Sequence, residues 1–173
     1  GSITPVARLK SINLGGVIIS NATLHNFDEI KKKNIHVGDT VEIQRAGDVI
    51  PQVVRVVKKS IIGNKLITPP EKCPICGSET FKEKNEAVLR CLNSYGCYAQ
   101  KISQIIHFVS KKALNIDGFG EKQVKQFYDL KLIKNVYDIF SLKNYKSKIE
   151  ELDGWGELSF SNLVNSIDKA KNI

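Results

Sequence analysis

The sequence predicts a multidomain α and β chain: a small β-barrel, then a compact metal-binding finger, then an α-helical region. Three observations carry that prediction. Short β-branched runs broken by glycine turns fill the first third, all four cysteines fall within twenty-five consecutive residues, and a six-residue block recurs in the last third. With 173 residues the chain has room for two or three small domains, since single cores are most common at about 100 to 150 residues. We expect the barrel over 1–70, the finger over 71–100 and the helical region over 101–173.

The barrel comes first. Val17-Ile18-Ile19 is β-branched, and Val37-Gly38-Asp39-Thr40 is a turn leading into Val41-Glu42-Ile43-Gln44-Arg45. Ala46-Gly47-Asp48 separates that strand from Val49-Ile50, and Val53-Val54-Arg55-Val56-Val57 closes the series. A helical turn over Asp28 to Lys33 interrupts it. Short strands at this spacing predict a small barrel, and an OB-fold, a five-stranded barrel that binds oligonucleotides on one face, fits the size and charge. The Ser60 to Pro70 stretch, with Gly63-Asn64 and Pro69-Pro70, reads as a hairpin turn leading to a linker. His25 and His36 lie beside no cysteine or paired carboxylate that would complete a catalytic constellation, so they are assigned no chemistry. Lys31 to Lys33 reads as a solvated helix face.

The finger is defined by Cys73-Pro-Ile-Cys76, then fourteen residues, then Cys91, then five, then Cys97. A tetrahedral Zn²⁺ needs four thiolates at about 2.3 Å, and a C-x2-C turn presents two from one knuckle. Gly77 is placed for the positive φ such a turn favours, and Asn93, Ser94 and Gly96 allow the wider second loop to fold back. Two disulfides are the competing reading, but no secretory signal is visible. A thioredoxin-like redox motif would leave the second pair without a role. We therefore expect Zn²⁺ on Cys73, Cys76, Cys91 and Cys97. Four protein ligands leave no open position, so the metal would organise a fold and not activate water.

In the helical region Ile116-Asp117-Gly118-Phe119-Gly120-Glu121 lays over Leu152-Asp153-Gly154-Trp155-Gly156-Glu157. Val124 and Phe127 then correspond to Phe160 and Leu163 at helical spacing. A glycine turn of this kind before a helix is the helix-hairpin-helix motif, whose glycines let the backbone approach a phosphate. Gly118, Gly120, Gly154 and Gly156 are thus candidate contacts to a nucleic-acid backbone, read without regard to base sequence. Lys122 follows the first turn where Leu158 follows the second, so the first is expected to grip harder. Phe119 and Trp155 are read as core residues of the turns.

Composition sets limits. The chain is 42% hydrophobic and 25% charged, as for an ordinary globular protein, and no apolar run approaches the ~20 residues of a membrane span. The net charge of +8 favours a polyanionic partner, and the excess sits in the barrel and helical regions while the finger is balanced. The chain opens on Gly1-Ser2 and contains no methionine, which reads as a piece cut from a longer protein with a cloning scar at its front.

Three stretches narrow the reading: Thr4-Pro5-Val6-Ala7, Asn21-Ala22-Thr23-Leu24-His25-Asn26, and Arg45-Ala46-Gly47-Asp48-Val49-Ile50-Pro51-Gln52-Val53. Together they resemble the OB domain of bacterial NAD-dependent DNA ligases. Ala99-Gln100 and His107-Phe108-Val109-Ser110 resemble the end of that family's zinc finger and the helix after it, with Tyr98 where proline is usual. The resemblance covers nearly the whole chain, in the order barrel, finger, hairpins. It implies that Arg45 contacts the DNA backbone near a nick while Val49 and Ile50 press into the minor groove. Without it, Val49 and Ile50 would be read as barrel core.

The resemblance further implies a parent enzyme that transfers AMP from NAD⁺ to a lysine and then to the 5′-phosphate of a nick. It finally joins that end to the 3′-hydroxyl with Mg²⁺. It places an adenylation domain upstream, and two further hairpins and a BRCT domain downstream. The K-x-D-G motif of the adenylation lysine does not occur here, so no residue is assigned a catalytic role and the chain is expected to bind duplex DNA without reacting with NAD⁺. We expect a cytoplasmic monomer with no membrane partner. The alternative is a stand-alone DNA-repair accessory module that joins a zinc ribbon to helix-hairpin-helix units.

Overall fold

The structure, a computed structural model, describes residues 1–45, 50–62 and 65–172. It divides into two compact units, Gly1–Asn93 and Ser94–Ile173.

The first unit holds two sheets. Strands β2 (Val6–Leu14), β3 (Val17–Thr23), β4 (Thr40–Gln44) and β5 (Gln52–Lys58) form one, in the order β2-β3-β5-β4. The β2–β3 hairpin turns on Gly15 and Gly16, both at positive φ, a backbone that matches the twist of paired strands and suits residues without a Cβ. Helix α1 (Phe27–Lys32) starts on Asn26, whose side chain accepts the Glu29 amide at 2.8 Å. Its Ile30 is buried with Ala22, Leu24, Ile35 and Val53 in a small core. A second, three-stranded sheet pairs β1 (Ser2–Ile3), β7 (Leu89–Cys91) and β6 (Thr80–Lys82) in the order β1-β7-β6.

The expected five-stranded barrel requires correction. Among the described residues the larger sheet has four strands, and its edges β2 and β4 do not pair with each other. Closure needs a continuous hydrogen-bond ladder around the ring. Here the edges share only side-chain packing: Ala7 and Leu9 of β2 and Val41 and Ile43 of β4 lie against the same core. Of the strand expected at Val49-Ile50, Ile50 lies outside any strand and Val49 is not among the described residues. Strand β2 went unpredicted although its alternation of partly buried Ala7 and Leu9 with exposed Val6, Arg8 and Lys10 has the period of a half-buried strand.

The stretch expected as a linker is tied down instead. The Asp39 side chain is fully covered, and its carboxylate accepts the Ser60 amide at 2.9 Å, the His36 amide at 2.9 Å and the Lys59 ammonium at 3.1 Å. Burial works against the charge, but the amides of Ser60 and His36, and then Lys59, outweigh it and hold the carboxyl at about 2. Beyond Ser60 the Lys65 carbonyl accepts the Val37 amide and Ile67 packs on the core. Residues 63–64, the expected turn, lie outside the described residues.

The second unit is helical: α2 (Tyr98–Val109), α3 (Glu121–Asp129), a 3₁₀ segment (Val136–Tyr145), α4 (Lys146–Glu150) and α5 (Glu157–Ala170). Asn135 and Asp138 form a capping box that starts the 3₁₀ segment. The unit closes on one continuous core to which every helix contributes, including Ile105, Phe127, Ile139, Ile149 and Leu163. The residues paired by the repeat, Val124 with Phe160 and Phe127 with Leu163, are all buried there. Tyr98 stands at the first position of α2, where a proline would favour the helix by its fixed φ. Its hydroxyl instead donates to Asp129 at 2.8 Å and its ring meets Tyr128 edge-on, which anchors the start of α2 to the end of α3.

Candidate metal centre and nucleic-acid interface

The first cysteine pair is held by backbone geometry. Gly77, at φ +72°, donates its amide to the Cys73 carbonyl at 2.9 Å, and Cys73 donates to the Ser78 carbonyl at 2.7 Å. Cys91 ends β7 and Cys97 precedes α2. All four sulfurs lie within 4.8 Å of one another, with Cys76 and Cys91 3.6 Å apart, and none is in a disulfide. Four thiolates about 2.3 Å from a tetrahedral Zn²⁺ stand about 3.8 Å apart, so the arrangement fits the ion. The Ser78 hydroxyl, and then its amide, hold the Cys76 thiol down to about 6, while burial pushes Cys91 up to about 11. A cation in this position would favour the thiolate at both. The sequence reading missed Ser78 and gave Asn93 only a turn-forming role. Asn93 donates to the Ser78 hydroxyl at 3.0 Å and so orients the group beside the metal ligand.

The repeated glycine turns of the second unit are brought to one place. Gly118 and Gly154 line a single cleft of 230 Å³ with Gln123, Trp155, Ser159 and Asn162. Each turn leans on the other repeat. The Asp117 amide donates to Ser166 of α5 at 2.7 Å, while the Trp155 indole donates to Gln126 of α3 at 3.1 Å and its ring lies 5.0 Å from that of Phe127. Gly118 and Gly154 adopt φ of +74° and +80°, which explains glycine there. Gly120 and Gly156 do not: they are extended, and an added Cβ would meet only an ordinary contact to Gln123 at the first and open space at the second. Both are N-caps without a side-chain cap, so the first amides of α3 and α5 lack an internal partner of that kind. Lys122 is exposed on α3, and the matching Leu158 on α5 is exposed as well.

On the larger sheet, Arg45 and Ile50 line one cleft of 320 Å³ with Val17, Ile18, Ser20 and Asn21. Ile50 is 72% exposed, so the barrel-core reading of that residue fails. Val49 lies outside the described residues. His25 is exposed at positive φ, and among the described residues no carboxylate or cysteine hydrogen-bonds to it.

Two family models match this architecture: residues 1–65 match the NAD-dependent DNA ligase OB-fold domain, and residues 72–99 match the NAD-dependent DNA ligase C4 zinc finger domain. The chain carries these two domains of the NAD-dependent DNA ligase family. Its four clustered cysteines form that family's C4 zinc site. Relatives named DNA ligase align along the whole chain, helices included. Those of Pelagibacter ubique, Wolbachia pipientis wMel and Gluconobacter oxydans are 55%, 50% and 44% identical. The chain spans 26%, 27% and 25% of those ligases, about a quarter of their length. No helix among the described residues is long and apolar enough to cross a membrane.

Proposed function

We propose that this chain is the DNA-gripping part of a ligase that seals nicks between 5′-phosphate and 3′-hydroxyl ends. It is organised as an OB domain over 1–70, a zinc finger over 71–100 and two helix-hairpin-helix units over 101–173. The observation that carries the reading is the pair of glycine turns opening on one cleft, each followed by a helix with an uncapped N-terminus. Gly120 and Gly156 meet no internal demand for glycine, which is what close approach by an external backbone would require. The reading takes Gly118, Gly120, Gly154 and Gly156 as phosphate contacts, with Lys122 adding charge to the first turn. Leu158 stands on α5 where Lys122 stands on α3, so the second turn lacks that charge and grips less firmly. Arg45 serves the backbone near the nick and Val49 with Ile50 the minor groove. Zn²⁺ is structural, while NAD⁺ and Mg²⁺ serve the chemistry of the parent enzyme.

Fluorescence anisotropy with nicked and intact duplexes across a salt series tests this. Gly120→Ala and Gly156→Ala should fold with unchanged thermal midpoints yet bind several-fold more weakly. Lys122→Glu should lower the salt slope by about 1 to 2. Alanine variants that bind as tightly as the original would sink the reading of the turns. Charge reversal at Lys169 or Lys171 that costs as much affinity as Lys122→Glu would sink the ranking. Incubation with NAD⁺ should leave the mass unchanged; an AMP adduct would overturn the non-catalytic assignment.

A further inference from the structure

The β2–β3 hairpin ends in apolar side chains that its own core does not use. Ile18 is 74% exposed and Val17 44%, although the next residue, Ile19, is buried. Ile18 pairs with Asn13 close to the Gly15-Gly16 turn, so it rides on a hydrogen-bonded hairpin. It lines the same cleft as Arg45 and Ile50, and Ile50 is itself 72% exposed. Two branched aliphatic side chains from separate segments thus flank one cleft that also carries a guanidinium. That combination suits the minor groove of a duplex, a slot about 6 Å wide, walled by sugars and bordered by phosphates. The β-branch restricts χ1, so little rotamer freedom is lost when the side chain enters it.

We infer that Ile18 is a second apolar wedge of this face, entering the minor groove from the β2–β3 hairpin while Ile50 enters from the connection between β4 and β5. The inference rests on the duplex-binding reading above. Arg45 contributes the phosphate contact, and Ile18 contributes apolar contact that is independent of salt.

The test uses this chain with a nicked duplex carrying 2-aminopurine beside the nick, read by anisotropy and base fluorescence across salt. Ile18→Ser should weaken binding about tenfold, the loss for withholding one branched aliphatic side chain from burial. It should also reduce the 2-aminopurine increase, with the salt slope and thermal midpoint unchanged. Arg45→Ala should instead reduce the slope by about 1. If Ile18→Ser binds normally while Ile50→Ser and Arg45→Ala are impaired, Ile18 is not a wedge and the duplex reading stands without it. If the Ile18→Ser loss tracks a lowered thermal midpoint, the residue is structural and the inference falls. Failure of the unsubstituted chain to bind duplex DNA would remove the underlying reading itself.

Discussion

The two units hold themselves together by different means. The helical unit closes on a single apolar core to which every helix contributes. The sheet unit buries only Ala22, Leu24, Ile30, Ile35 and Val53 in its main cluster, and carries besides it three of the four metal-site cysteines, Cys73, Cys76 and Cys91, and a covered carboxylate, Asp39. Where little apolar surface is removed from water, directional bonds substitute for it. Such bonds respond to conditions that leave a hydrocarbon core untouched, so the contrast can be tested one condition at a time.

The largest effect should come from the metal. Stripping Zn²⁺ with a chelator at neutral pH removes a contribution on the order of 10 kcal/mol from the finger. Amide hydrogen exchange should then accelerate through 72–93 while α3 and α5 keep their protection. Uniform loss of protection along the whole chain would break the contrast. Next in size, Phe127→Ala removes a fully buried ring packed on Phe119 and Trp155 and should cost the helical unit about 3 to 5 kcal/mol by urea unfolding. Exchange within the four-stranded sheet should not change. The smallest effect is acid-dependent. Asp39 is held at about 2, below the ordinary carboxylate value of 3.8, so its ionised form stabilises the sheet unit fully above about pH 4 and loses that contribution as pH falls toward 2. Asp39→Asn should flatten the urea midpoint between pH 4 and pH 2. A parent-like acid limb in that variant would remove Asp39 from the account.

The legible parts of the sequence were those in which local chemistry and periodicity agree. Four cysteines with two turn loops announced the metal centre, and the Ile116 and Leu152 blocks announced paired turns because both copies bury the same helical positions. Strand β2 was missed because Arg8 and Lys10 break its apolar run, although they occupy the outward face. Barrel closure was overstated because strand count and turn spacing carry no information about which edges pair. Ile18 was hidden for the opposite reason: inside Val17-Ile18-Ile19 it has the composition of core, and only the fold separates its exposed side chain from the buried one beside it. Asp39 looked like a turn residue, and its tie to Ser60 became visible only once residues distant in sequence were adjacent.

Strand β1 bears on how this molecule could be taken apart. Ile3 pairs with Leu89 and Ser2 with Arg90, so the finger's sheet borrows an edge from residues that sequence comparison assigns to the other domain. A peptide cut to residues 72–99 would keep all four thiols yet present one side of β7 unpaired, an open edge of the kind that invites association with another chain. Severing the chain near residue 70 while retaining both pieces should let the N-terminal piece re-pair with the finger in trans. The domain defined along the sequence and the one defined by hydrogen bonds are therefore not the same object here.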